Sequence, residues 1–132
     1  FSQVATVVDT QAKQWLETDT DRWVDVTAPD NILVSGRLAN GGVASVHVAS
    51  VPRAASGYRM EIYGSEGTLV ASGAESPQLG EVRLQGARGR DGRLEDLDVP
   101  ERHVYVLEGM PQGAPYNVGQ MYYRFAQAIR SG

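Results

Sequence analysis

Two β-hairpin signatures follow one another in the middle of the chain, and they commit it to antiparallel pairing. Asn31 to Leu38 is strand-like, Ala39-Asn40-Gly41-Gly42 interrupts it, and Val43 to Val51 returns. Asn-Gly tolerates the positive φ angles of a tight hairpin turn. The second signature follows closely. Tyr58 to Tyr63 alternates polar and apolar, Gly64-Ser65-Glu66-Gly67 turns, and Thr68 to Ser72 returns. Because strand side chains alternate between faces, Met60 and Ile62 are expected toward a core, and Arg59, Glu61 and Tyr63 the other way.

The flanking segments are less regular. Phe1 to Val8 is rich in β-branched residues and reads as a strand. Asp9 to Asp25 is polar, with Glu17, Asp19, Asp21 and Asp25 around Trp15 and Trp23. It lacks the Asp-x-Asp-x-Asp-Gly spacing of a calcium loop and reads as a solvated loop or hairpin tip. Pro52 to Gly57 is a connector, Gly73 to Gly80 a loop, and Glu81 to Leu84 a short strand. Gly86 to Arg93 is a turn-rich basic stretch, and Leu94 to Val99 a further short strand. Pro100 to Pro115 is irregular, with Val104-Tyr105-Val106 extended. Near the end, Val118, Met121, Tyr122, Phe125 and Ile129 form an apolar stripe at helical period. Asn117 is the expected N-cap, Gln120 occupies the capping-box position, and Gly132 can end the helix. The stripe is expected to dock on a sheet. Together these segments give an α+β fold: an open, mainly antiparallel mixed β-sheet with the helix packed on one face.

Composition removes several classes of function. The 132 residues suit one domain, and none is cysteine. That excludes disulfides, cysteine-containing zinc sites, iron–sulfur ligation and a cysteine nucleophile. Two histidines, His47 and His103, leave little for a histidine-rich metal site. The net charge of −4 is spread along the chain, so no nucleic-acid partner is expected. No apolar run reaches the roughly 20 residues that span a bilayer, so no membrane partner is expected either. Phe1 to Val8 has neither a starting methionine nor the basic flank of a signal peptide. It reads as a strand entered partway through a longer, cytoplasmic protein. Eleven arginines against one lysine suit a GC-rich bacterial genome.

Candidate chemistry is sparse. His47 lies on a strand of small and apolar residues, where it fits a structural histidine as well as a substrate contact. Arg53, in a connector with Ser56 and Gly57, suits recognition of an anion or hydroxyl, because guanidinium is a planar multi-donor; it equally fits an exposed loop arginine. No Gly-x-Ser-x-Gly elbow surrounds a serine. Gly86-x-x-Gly89-x-x-Gly92 has the wrong spacing for a dinucleotide fingerprint and does not link a strand to a helix. Arg88, Arg90 and Arg93 could hold a phosphate or decorate a solvated hairpin tip. Trp15 and Trp23 could stack on a sugar or cap a sheet edge. The chain alone offers no cofactor cradle and no acid–base pair.

Thr27 to His47 and Tyr58 to Leu69, with Tyr63-Gly64-x-x-Gly67-Thr68-Leu69 closing the second hairpin, resemble the C-terminal domain of the Gfo/Idh/MocA oxidoreductases. The branch most similar is that of the yeast galactose-pathway repressor. Phe125 to Gly132 resembles the family's late helix. The resemblance covers most of residues 1–69 and the last fifteen; the middle is not diagnostic. It implies an open antiparallel sheet, as in glucose–fructose oxidoreductase, that forms part of a substrate pocket and a homo-oligomer contact. It implies a missing N-terminal Rossmann domain that binds NAD or NADP, a sugar or polyol substrate, and a parent oxidoreductase. The family's cofactor fingerprint and Glu-Lys-Pro lysine have no counterpart here; Lys13 sits in a polar loop. No cofactor is expected on this chain, which should be inactive alone. By position, His47, Arg53, Tyr58 and Arg59 are the expected substrate contacts. Family members that lose catalysis act as sensors, so a repressor-like module is the alternative.

Overall fold

The turn that the first hairpin requires is formed by Asn40 and Gly41. Gly41 has φ +90°, and its amide donates to the Leu38 carbonyl at 3.0 Å. The Asn40 side chain accepts from the Gly42 amide at 3.2 Å, which closes the turn from the other side. The computed structural model describes residues 1–50, 54–89, 92–106 and 108–132, in two units, Phe1–Ala55 and Ser56–Gly132. Arg53, one of the expected contacts, lies outside the described residues, as do Val51 and Arg90.

In the first unit, β1 (Gln3–Asp9), β4 (Asn31–Arg37) and β5 (Val43–Ala49) form an antiparallel sheet in the order β1-β4-β5. The segment between β1 and β4 folds as a hairpin, β2 (Gln14–Glu17) against β3 (Arg22–Asp25). Its base is held by Asp30, the buried charged residue among those described. The Asp30 carboxylate accepts from the Gln11 amide at 2.9 Å, the Ala12 amide at 2.7 Å and the Asn31 side-chain amide at 3.1 Å. Such bonds favour the ionised form, so its pKa falls below 3.8, the Gln11 amide being the largest cause.

In the second unit, β6 (Tyr58–Tyr63), β7 (Gly67–Gly73), β8 (Arg83–Arg88) and β9 (Glu95–Asp96) pair in sequence order, all antiparallel. A 3-10 turn at Glu101–His103 leads toward the helix α1 (Ala114–Ser131). The fold is α+β, with antiparallel sheets and one C-terminal helix among the described residues. That helix is not long and apolar enough to cross a membrane.

Several local expectations are corrected. The short strand expected at Glu81 to Leu84 runs instead from Arg83 to Arg88, into the expected basic turn, because β7 offers it a full ladder from Ser72 to Gly67. Val104 is extended, as expected, at φ −104° and ψ 110°, but Val104 to Val106 joins no sheet. The helix starts at Ala114 with Gly113 as N-cap, not at Asn117. Pro115 fits its first turn, where a missing N–H costs nothing and φ is already helical. Asn117 instead donates to the Pro77 carbonyl at 2.9 Å. Gln120 accepts from the Tyr105 amide at 2.6 Å and donates to the His103 carbonyl at 3.2 Å. Tyr123 stacks on Tyr105 with ring centroids 5.2 Å apart. Loop residues thus hold the helix on its polar side, and Val118, Met121, Tyr122, Phe125 and Ile129 stay exposed. Its apolar stripe is not covered by a sheet.

Burial is also unlike the simple alternation. Met60 and Ile62 are about half exposed, and among the described residues the buried apolar ones are Val70 and Ala71 of β7. That strand is flanked on both sides by β6 and β8, so its side chains have neighbours that those of an edge strand lack. The chain exposes 11072 Å². Two separate compact bodies of these lengths would together expose about 8,200 Å². The chain thus exposes roughly 3,000 Å² more than that, and many large apolar side chains are among the exposed residues.

Candidate functional site

Two of the expected contacts, Tyr58 and Arg59, come together at the start of β6. They line a cleft of about 730 Å³ with Ser56, Ser72, Gly73, Ala74, Glu81, Val82 and Arg83. Register explains the assembly. Arg59 lies opposite Ser72, and Ser72 opposite Arg83, so three strands place two guanidiniums and a hydroxyl in one row. Ser72, Glu81 and Arg83 were not singled out from sequence. The signal available was an arginine beginning the strand that follows β7, which becomes informative only once the register is known.

Both arginines are oriented by carboxylates. Arg59 donates through Nε to Glu61 Oε1 at 2.8 Å and through Nη2 to the same oxygen. Tyr63 Oη donates to Glu61 Oε2 at 2.5 Å. The Tyr63 hydrogen bond, and then Arg59, hold the Glu61 pKa below its ordinary value. The same bond raises the Tyr63 phenol above 10.0. Arg83 makes a two-pronged pair with Asp96, Nε to Oδ1 at 2.7 Å and Nη2 to Oδ2 at 3.0 Å. That pair lowers the Asp96 pKa and raises that of Arg83, the hydrogen bond being the first cause in each. Tyr58 Oη reaches Met60 Sδ at 3.5 Å.

The row offers donors at Arg59 and Arg83 and a hydroxyl at Ser72, and the rest of the cleft lining adds the Ser56 and Tyr58 hydroxyls and an acceptor at Glu81. Such a set can hydrogen-bond several hydroxyls of a polyol. The residues lining the cleft include no histidine, lysine or cysteine to serve as a base or nucleophile near neutral pH. Among the described residues no group of three or more metal-ligating side chains occurs.

His47 belongs to the first unit. It is exposed on β5 beside Leu33 and lies 3.4 Å from Asn31 Oδ1 through Nε2. Trp15 and Trp23 are 47% and 66% exposed and border an open groove with Gln11, Gln14 and Ser50. The hairpin register sets Trp15 opposite Val24 and Trp23 opposite Leu16, which places the two indoles on alternate faces.

No family model matches the chain, and no curated protein matches it in sequence. Among solved structures, the chain is similar to the super-repressor mutant of Gal80p from Saccharomyces cerevisiae, at 17% identity and a TM-score of 0.63. The match covers 97% of this chain and 33% of that one, so the chain spans about a third of the length of that protein and shares the fold of that part.

Proposed function

We propose that this chain is the substrate-side and oligomerisation domain of an NAD(P)-dependent oxidoreductase acting on a sugar or polyol. Its cofactor sits on a Rossmann domain outside this sequence, and the chain is not catalytic alone. The observation that carries the reading is the fold match over nearly the whole chain but only a third of a larger protein. The cleft at Tyr58, Arg59, Ser72 and Arg83 supports it, because its guanidinium and hydroxyl donors suit holding a hydroxylated substrate. In the parent, these donors would orient the substrate while nicotinamide supplies hydride chemistry from the other domain. His47 and Arg53 are proposed further contacts. The face bearing Arg59, Glu61 and Tyr63 mixes charge with an aromatic ring and suits a homo-oligomer contact. On this reading the parent works in the cytoplasm.

Calorimetry of this chain with NAD(H) and NADP(H) tests the division of labour. No heat of binding is expected, and tight binding of either dinucleotide would overturn it. A second reading is a non-catalytic sensor or dimerisation module, in keeping with the fold shared with a super-repressor mutant of Gal80p. The gene upstream of Phe1 separates the two. Gly-x-Gly-x-x-Gly followed by Glu-Lys-Pro supports the enzyme, and loss of the lysine supports the sensor.

A further inference from the structure

The edges of the sheets differ in how they are protected. An open strand edge is a template for pairing with another chain, and charge or shortness blunts it. Edge strand β6 carries Arg59 and Glu61, β9 has two residues, both acidic, and β2 and β3 carry Glu17, Arg22 and Asp25. β1 is seven residues long and exposed throughout, and its charge is confined to Asp9 at its end. It contains no proline and no bulge in its pairing with β4.

We propose that the free edge of β1 pairs antiparallel with β1 of a second copy of this chain, about a two-fold axis at Thr6. The sequence of the strand is self-complementary in that register. Val4 faces Val8 of the other copy, Ala5 faces Val7, Thr6 faces itself, and Gln3 faces Asp9. No like charges meet, and β-branched residues oppose one another, which favours cross-strand contact. The register also keeps the faces aligned. Thr6 shares a row with Val34 and Val46, so the apolar side of one three-stranded sheet continues into that of its mate. The pairing accounts for part of the roughly 3,000 Å² that the two units expose beyond need. β5, the other edge, is less suited: the same symmetry about Val46 sets His47 against Ser45 twice. This edge contact is separate from the Arg59–Glu61–Tyr63 face and does not depend on the oxidoreductase reading.

The chain has no cysteine, so one introduced thiol reports cleanly. Directly opposed residues of an antiparallel pair have Cα atoms about 4.5–5.5 Å apart, within reach of a disulfide. The 132-residue chain with Thr6→Cys should form a disulfide-linked dimer under mild oxidation. It should do so about tenfold or more faster than Val46→Cys, which sits in the same row on the opposite edge, because pairing raises the effective thiol concentration. Equal rates at the two positions, as an unfolded or β5-paired chain would give, overturn the proposal. So does the absence of cross-linking at Thr6, as a β1 edge covered by another segment or a dimer built on the β6 face would give. As a second measurement, Thr6→Lys and Thr6→Glu should each be monomeric by light scattering and associate when mixed. Dimers of either variant alone also overturn it.

Discussion

Val70→Ala is the perturbation that most directly tests how the second unit is held together. Val70 is 2% exposed at the middle of β7, with Glu61 and Gln85 directly opposite on the two flanking strands. The substitution removes two buried methyl groups, worth about 1.6 kcal/mol at roughly 0.8 kcal/mol each. The cavity left behind adds about 1 kcal/mol if the strands do not collapse around it. A loss of about 2–3 kcal/mol is expected, large because few other side chains in the unit are buried. For a unit of this size that lowers Tm by about 10–20 °C, at roughly 4–8 °C per kcal/mol. The control in the same unit is Val99→Ala, a residue 58% exposed whose truncation should cost about 0.5 kcal/mol or less. Both are read by thermal and urea unfolding followed by circular dichroism. If Val99→Ala costs as much as Val70→Ala, the burial at β7 is not what stabilises this unit, and the reasoning fails.

Asp30 gives a pH signature in the first unit. Its folded pKa lies below 3.8, so its contribution is fully present above that value and is lost as pH falls through the lower folded one. Urea midpoints of the natural chain and of Asp30→Asn should therefore differ at neutral pH and draw together as pH falls progressively below 3.8; a constant gap would contradict the assignment. For Tyr63, ultraviolet titration should show a phenol ionising above 10.0 that moves back toward it in Glu61→Gln and disappears in Tyr63→Phe. An unchanged titration curve in Glu61→Gln would remove the bond. Gly57 has φ +84°, and a Cβ there would strike the Gly73 carbonyl, whereas Gly41 has φ +90° with open space around it. Gly41→Ala should cost about 1–2 kcal/mol from backbone strain alone. Gly57→Ala should cost clearly more, and equal unfolding midpoints for the two variants would refute the steric half of that comparison.

The strand content was legible where pairing is local. Asn40-Gly41 and Gly64 to Gly67 join strands adjacent in sequence, so period-2 alternation and turn chemistry suffice to read β4–β5 and β6–β7. β1 was readable from its β-branched run, but its partner, β4, lies beyond an intervening hairpin. That hairpin was expected only as a polar loop or tip, because its carboxylates mask the Trp15–Val24 and Leu16–Trp23 pairs. The candidate site was half legible. Tyr58 and Arg59 stood out by position, whereas Arg83 joins them only through the β7–β8 register, which no local pattern encodes.

The sequence by itself determined the elements and the class: antiparallel hairpins closed by glycine and asparagine turns, and one late helix with an apolar stripe. These depend on φ preferences and side-chain alternation, which act within a few residues. Only the tertiary structure decided which apolar residues are buried. Val70 and Ala71 lie on a central strand and are covered from both sides, while Met60, Ile62 and the helix stripe, apolar by the same measure, remain open. Burial depends on what lies across the sheet or against the helix. An amphipathic pattern states that a face needs a partner; the packing of the other elements decides whether this chain provides one.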